Sequence, residues 1–211
     1  MPCLQKKVDC VDNGAWCYII GIKTKEAIMG GVSDNDIREW FKDHVASYEI
    51  FRGPICEFLR WKKPGTSCYL VDYIVKDGFL IVTGDLGNAV YKWLSPVCLQ
   101  DIASYSLDYF HSKCVASEGG RSTDWYEWSE EKAKKRIHDS FKDTMDCKGY
   151  KKFLDAEVPL HDVQEFKAWL ITGDSYDMFG QDWWEWLPGI GNEIPIRCRA
   201  HLIGLKMAMT T

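Results

Sequence analysis

At 211 residues the chain has room for one medium-sized domain or two very small ones. With 46% of its residues hydrophobic, it can bury a core without metal or disulfide staples. A formal net charge of −5 argues against a protein that works mainly by neutralising nucleic-acid phosphates, and it suits an acidic surface that meets a basic partner.

In chain order, residues 15–22 follow the turn signal Asp12-Asn13-Gly14 and are apolar, β-branched and aromatic, which predicts a strand. Residues 23–26 are expected to form a charged turn, and Gly30-Gly31 to break the chain again. Ser33 is a good helix N-cap, and Asp34 and Asp36 suit the positive end of a helix dipole. Ile37, Trp40, Phe41 and His44 or Val45 recur at helical spacing, so the helix is expected to end near Ser47. Strands are then predicted at 49–52, 55–62, 68–75, 79–83 and 88–94. Gly53-Pro54, Pro64-Gly65, Asp77-Gly78 and the Gly84 to Gly87 turn separate them. This order needs no crossover helices and reads as an antiparallel meander.

The remainder reads as helical. Helices are predicted from Ser95-Pro96 to about Lys113, from a Ser129 cap through Met145, and at 148–156, 160–171, 175–186 and 197–207, with a polar, glycine-rich loop at 117–122. The expected fold is α+β, a single domain over 1–211. A central antiparallel β-meander sheet (about 49–94) is packed by helices from the N-terminal flank and from about 96–209. Trp40, Phe41, Tyr69, Val71, Ile81, Tyr91, Phe110, Ile137, Phe141, Phe166, Trp169 and Leu202 are the expected core.

Nine cysteines are present, and Cys3, Cys10 and Cys17 recur every seven residues. There is no Cys-x-x-Cys pair and no matching histidine spacing, so no metal is expected, and no cofactor motif appears. Free thiols in a reducing cytoplasm are the simpler account. The first residues are polar and carry Lys6 and Lys7, unlike a signal peptide, and the apolar runs are too short to span a bilayer.

Asp85 stands between Gly84 and Gly87, where a held carboxylate could serve a metal, a base role or a cationic partner. The plainer reading, which we favour, is an Asx-type turn in which Asp85 bonds the backbone of Gly87. Arg52, Arg60, Lys62 and Lys63 gather near Trp61. On a strand, Arg60 and Lys62 share one face and Trp61 takes the other, which favours a solvated sheet face over a single-strand nucleic-acid site. His111 and Cys114 lie at helical spacing and read as a partly buried pair rather than a nucleophile and base. The segment from Glu118 to Trp128 combines glycines, Arg121 and a dense acidic and aromatic run, as a recognition loop would; Trp125 and Trp128 could equally staple the following helix to the sheet. Trp183, Trp184 and Trp186 cannot all face one way on a helix, so at least one ring is expected near the surface.

The segment Gly84-Asp85-Leu86-Gly87-Asn88-Ala89-Val90-Tyr91 resembles a family of uncharacterised proteins encoded by bacteriophages, prophages and mobile elements of gut Firmicutes. The resemblance includes Ile37-Arg38-Glu39-Trp40-Phe41, Tyr109-Phe110-x-x-Lys113 with Arg121, and His201 to Met207, and so spans most of the chain. It carries no agreed activity and transfers no catalytic residue. It implies a phage accessory protein in the cytoplasm of a bacterial host, where such proteins frequently act on host machinery or defence.

The leading expectation is therefore a non-enzymatic binding protein, an inhibitor of a host defence complex such as a CRISPR effector. It would cover a basic protein or ribonucleoprotein surface without binding nucleic acid directly. Asp124, Trp125, Glu127, Trp128, Glu130, Glu131, Asp182, Trp183 and Glu185 are the expected partner-binding residues. The first alternative is a nucleotide or small-molecule sequestering protein, with Arg52 and Arg60 facing an aromatic-lined pocket. The second is an enzyme using Asp85.

Overall fold

The computed structural model describes residues 32–51, 56–118, 125–144, 147–172 and 175–211. The strand predicted at 15–22 and the Cys3, Cys10, Cys17 series lie outside them. The described elements belong to one contact unit, Asp34–Thr211. Helix α1 (Asp34–Phe41) leads into strands β1 (Val45–Phe51), β2 (Cys56–Lys62), β3 (Val71–Lys76), β4 (Phe79–Gly84) and β5 (Ala89–Lys92). Two short helices follow, α2 (Leu99–Ala103) and α3 (Leu107–Ser112), and then β6 (Cys114–Ser117). The strands form a six-stranded sheet in the order β1-β2-β3-β4-β5-β6, each neighbouring pair antiparallel. The α+β meander expected from sequence is thus the fold.

The period-two burial of β2 and β3 explains the sheet's two faces. Leu59, Trp61, Val71, Tyr73, Val75, Leu80, Val82, Ala89 and Tyr91 are buried on the inner face. On the outer face, Phe58, Ile74, Ile81, Val90 and Ala116 stand opposite one another across five strands. Ile81, expected in the core, is 40% exposed there, because one step along a strand exchanges the faces. Trp40, Tyr69 and Trp169 are half-buried rather than central. Asp77 (φ 49°) and Gly78 (φ 80°) close the β3–β4 hairpin as a two-residue turn with both residues left-handed.

Helix α9 (Ile196–Thr210) packs against α1, α2, α3 and strands β1 to β3. Gly204 permits this approach: a Cβ there would stand 2.7 Å from the Tyr73 hydroxyl and 3.1 Å from the Phe41 ring. The Tyr73 hydroxyl instead donates to the His201 carbonyl at 2.9 Å. A second core lies among α4 (Glu130–Thr144), α5 (Cys147–Asp155), α6 (Val163–Thr172), α7 (Ser175–Phe179) and α8 (Trp183–Trp186). Ala133, Ile137, Phe141, Leu160, Phe166, Leu170, Leu187 and Ile190 form it.

Three of the boundaries that differ from expectation have a local cause. The first helix stops at Phe41, not Ser47, because Val45 to Phe51 pairs rung by rung with β2. The helix predicted to Lys113 is two helices, because Ser106 caps α3 by accepting the Tyr109 N–H at 3.3 Å. The helix predicted at 175–186 is also two, parted at Gly180, whose φ is +81°.

Candidate functional site: a cationic cleft and an acidic aromatic rim

Strand β7 (Glu127–Trp128) pairs with β8 (Asn192–Glu193) as a small ribbon beside the start of α4. Ser129 caps α4: its Oγ accepts the Lys132 N–H at 3.2 Å, and its own N–H donates to the Gly191 carbonyl at 2.8 Å. A side chain at Gly191 would collide with Ser129 O and the Trp128 ring, both 2.9 Å away. The cap fixes the helical phase. Ala133 and Ile137 then point into the helical core, while Lys132 and Arg136, one turn apart, face a cleft of about 580 Å³.

Helix α3 contributes Leu107, Asp108 and His111 to the lining, and Tyr126, Asn192, Glu193 and Arg199 also face the cleft. Lys132 Nζ donates to the Asn192 carbonyl at 2.7 Å and lies 3.9 Å from Glu193. Partial burial pulls the Lys132 ammonium below its ordinary pKa; Glu193 opposes this and Arg136 adds to it. Arg136 Nη1 makes one long contact, 3.5 Å, to the Ile190 carbonyl. Arg199 is anchored to Asp34 through Nε and Nη2 at 3.1 and 2.6 Å. His111 Nε2–H donates to the Trp125 carbonyl at 2.9 Å. Tyr126 sits edge-on to that imidazole at 4.7 Å and is 43% exposed.

The rim residues expected from sequence separate into two groups. Glu127, Glu131, Asp182 and Glu185 are exposed and form no ion pair among the described residues. Glu130 pairs with Lys134 at 2.5 Å. Trp125 is not a surface anchor: it is buried within 6.4 Å of the Tyr91, His111 and His201 rings. Trp128 is half-buried, donating its Nε1–H to the Leu160 carbonyl at 2.8 Å and packing on Phe166. Trp183 is half-buried against the same helical core. The exposed ring of that run is Trp184, 61% accessible between Asp182 and Glu185. Asp124 lies outside the described residues.

Asp85 is a turn residue, but its partner is not Gly87. Its N–H donates to the Leu70 carbonyl at 2.9 Å, and its Oδ2 accepts the Leu70 N–H at 3.3 Å. Gly87 N–H closes the turn on the Gly84 carbonyl at 3.1 Å. Arg60 is committed to Asp72, with Nε and Nη2 on its two oxygens at 2.8 and 2.7 Å, and Arg52 lies outside the described residues. The cations that do line a pocket, Lys132, Arg136 and Arg199, were not singled out by the sequence.

A second polar group is sealed inside the protein. His201 Nε2–H donates to the Leu86 carbonyl at 3.3 Å, and Nδ1 accepts from the Tyr91 hydroxyl at 3.1 Å. Burial holds the imidazole neutral, with its pKa lowered to about 4. Burial also pushes the Cys114 thiol up to about 11 and the Cys198 thiol up to about 12. The Cys114 thiol donates to the Ala116 carbonyl at 3.4 Å, so His111 and Cys114 serve different backbone partners and do not form a nucleophile–base pair. Among the described residues, no group of three or more His, Cys, Asp or Glu is placed to hold a metal, and no helix is long and apolar enough to cross a membrane. Comparison with protein families, curated proteins and solved structures finds no match to this chain.

Proposed function

We propose that this chain is a non-enzymatic binding protein that docks on a basic surface of a host protein or ribonucleoprotein complex. Given the phage context implied by the resemblance, inhibition of a bacterial defence complex of the CRISPR type is the biological role we assign to it. One observation carries the reading: the exposed Trp184 of α8 is flanked in sequence by two exposed carboxylates, Asp182 at the helix N-cap and Glu185, that no cation of the described residues neutralises. An exposed tryptophan costs solvation that burial against a partner recovers, and free carboxylates beside it select a cationic partner. Glu127 and Glu131 are likewise exposed and form no ion pair among the described residues. The reactive side chains that cluster, His201, Tyr91 and Cys198, are buried and engaged with one another or with backbone, which suits binding better than catalysis.

The test is capture of a partner from bacterial host lysate at low and high salt, with wild-type and altered chains. A partner held at low salt and released at high salt is expected. Trp184→Ala is expected to weaken its binding by about 2 kcal/mol, close to thirtyfold. Charge reversal at Glu127, Glu130 or Glu185 is expected to slow association. Should Trp184→Ala and the reversals leave capture intact, the surface assignment is wrong.

A further inference from the structure

We propose that the cleft between α3, the β7–β8 ribbon and α4 binds a single nucleotide, its phosphate received by Arg136 and Lys132 and its base laid on Tyr126. In an acidic chain, two cations one helical turn apart on the same face repel each other. Arg199 brings a third to the same cleft from α9. Glu193 offsets that repulsion in part at Lys132, and an anion held at Arg136 would relieve the rest. Lys132 is partly withdrawn from water, and its nearest carboxylate is 3.9 Å away. Arg136 has no carboxylate partner among the described residues, so its guanidinium fork is open to grip phosphate oxygens in pairs. Arg199, held by Asp34, is a fixed positive wall rather than a free hand.

The rest of the lining asks for more than a bare anion. Asp108 and Glu193 are hydrogen-bond acceptors of the lining. A ligand that complements them must carry hydroxyl or amino donors as well as negative charge, as the ribose and base of a nucleotide do. Tyr126 supplies an exposed ring steadied by His111, on which a planar base can stack. The cleft volume of about 580 Å³ falls inside the usual range for small-molecule sites, about 300–1,000 Å³. The nucleotide reading that placed the ligand at Arg52 and Arg60 thus moves to this cleft.

The experiment is calorimetric titration of the full chain with the adenosine, guanosine, cytidine and uridine 5′-monophosphates, the four nucleosides, and inorganic phosphate. Saturable binding of at least one monophosphate is expected, with its nucleoside and inorganic phosphate each bound at least about tenfold more weakly. Arg136→Ala should weaken the monophosphate about tenfold, as loss of a charge-assisted contact does. Lys134→Ala, on the neighbouring residue paired with Glu130, should leave it unchanged. Tyr126→Ala should weaken the monophosphate but not inorganic phosphate. Thermal melts show that each variant is folded. Failure of all four monophosphates to bind, or Arg136→Ala binding as well as wild type, overturns the site. Inorganic phosphate binding as tightly as the monophosphates, with Tyr126→Ala silent, overturns the nucleotide.

Discussion

A methyl group added at Gly84 would stand 2.1 Å from the Leu70 carbonyl oxygen, at a residue whose φ is +132°. Both the backbone angle and the neighbour forbid a side chain there, and the neighbour is backbone, which cannot swing aside. Gly65 has φ +78° but nothing within 4 Å of its added Cβ. Gly84→Ala is therefore expected to cost at least about 2 kcal/mol, against about 1 kcal/mol for Gly65→Ala. Urea midpoints at unchanged slope measure both, and equal costs would refute the steric argument. The sequence showed that glycines at this turn answer to backbone geometry. It did not show that the constraint comes from Leu70, since that residue is brought in by strand pairing and not by spacing. For the same reason Asp85 read correctly as a turn residue with the wrong partner.

At the scale of elements, Ser129 joins the ribbon to α4, accepting from Lys132 N–H and donating to the Gly191 carbonyl. Ser129→Ala should cost about 1 kcal/mol, as loss of an N-cap does, visible in the urea midpoint. The cap was legible because serine followed by two glutamates is a local signal. The strands were legible too, since alternating burial in β2 and β3 is written as alternating polarity. Strand β6 was not: Cys114–Ser117 has four residues, two of them exposed, and a bulge between Val90 and Tyr91 sets its register. Helix α8 shows the partial case. Three tryptophans in four positions implied one exposed ring, but the choice of Trp184 depends on where the helical core lies.

Across the whole molecule, burial of His201 links protonation to global stability. The native imidazole stays neutral down to about pH 4, while the unfolded one protonates near its ordinary 6.5. Between those values the unfolded chain binds more protons, so stability is complete above about pH 6.5 and falls as the pH drops toward 4. The gap amounts to roughly 3 kcal/mol. His44, whose pKa burial also lowers, acts in the same direction. Urea midpoints from about pH 7.5 to about 4.5 should fall in the wild type, and His201→Gln should show a slope smaller by up to one proton. An unchanged slope in that variant would mean that other groups carry the pH dependence. The cleft belongs to this scale as well: Asp108, Lys132, Glu193 and Arg199 come from four separated segments, and no local spacing announces their meeting.

Helix α9 has one more consequence. His201 accepts from Tyr73, 128 positions earlier, and from Tyr91, 110 positions earlier. A ribosome therefore delivers the meander long before it delivers the helix that shields the inner face. During that interval the nascent chain displays Leu59, Trp61, Val71 and Tyr73 on β2 and β3 with their eventual cover still unmade, the state in which holding chaperones find their clients.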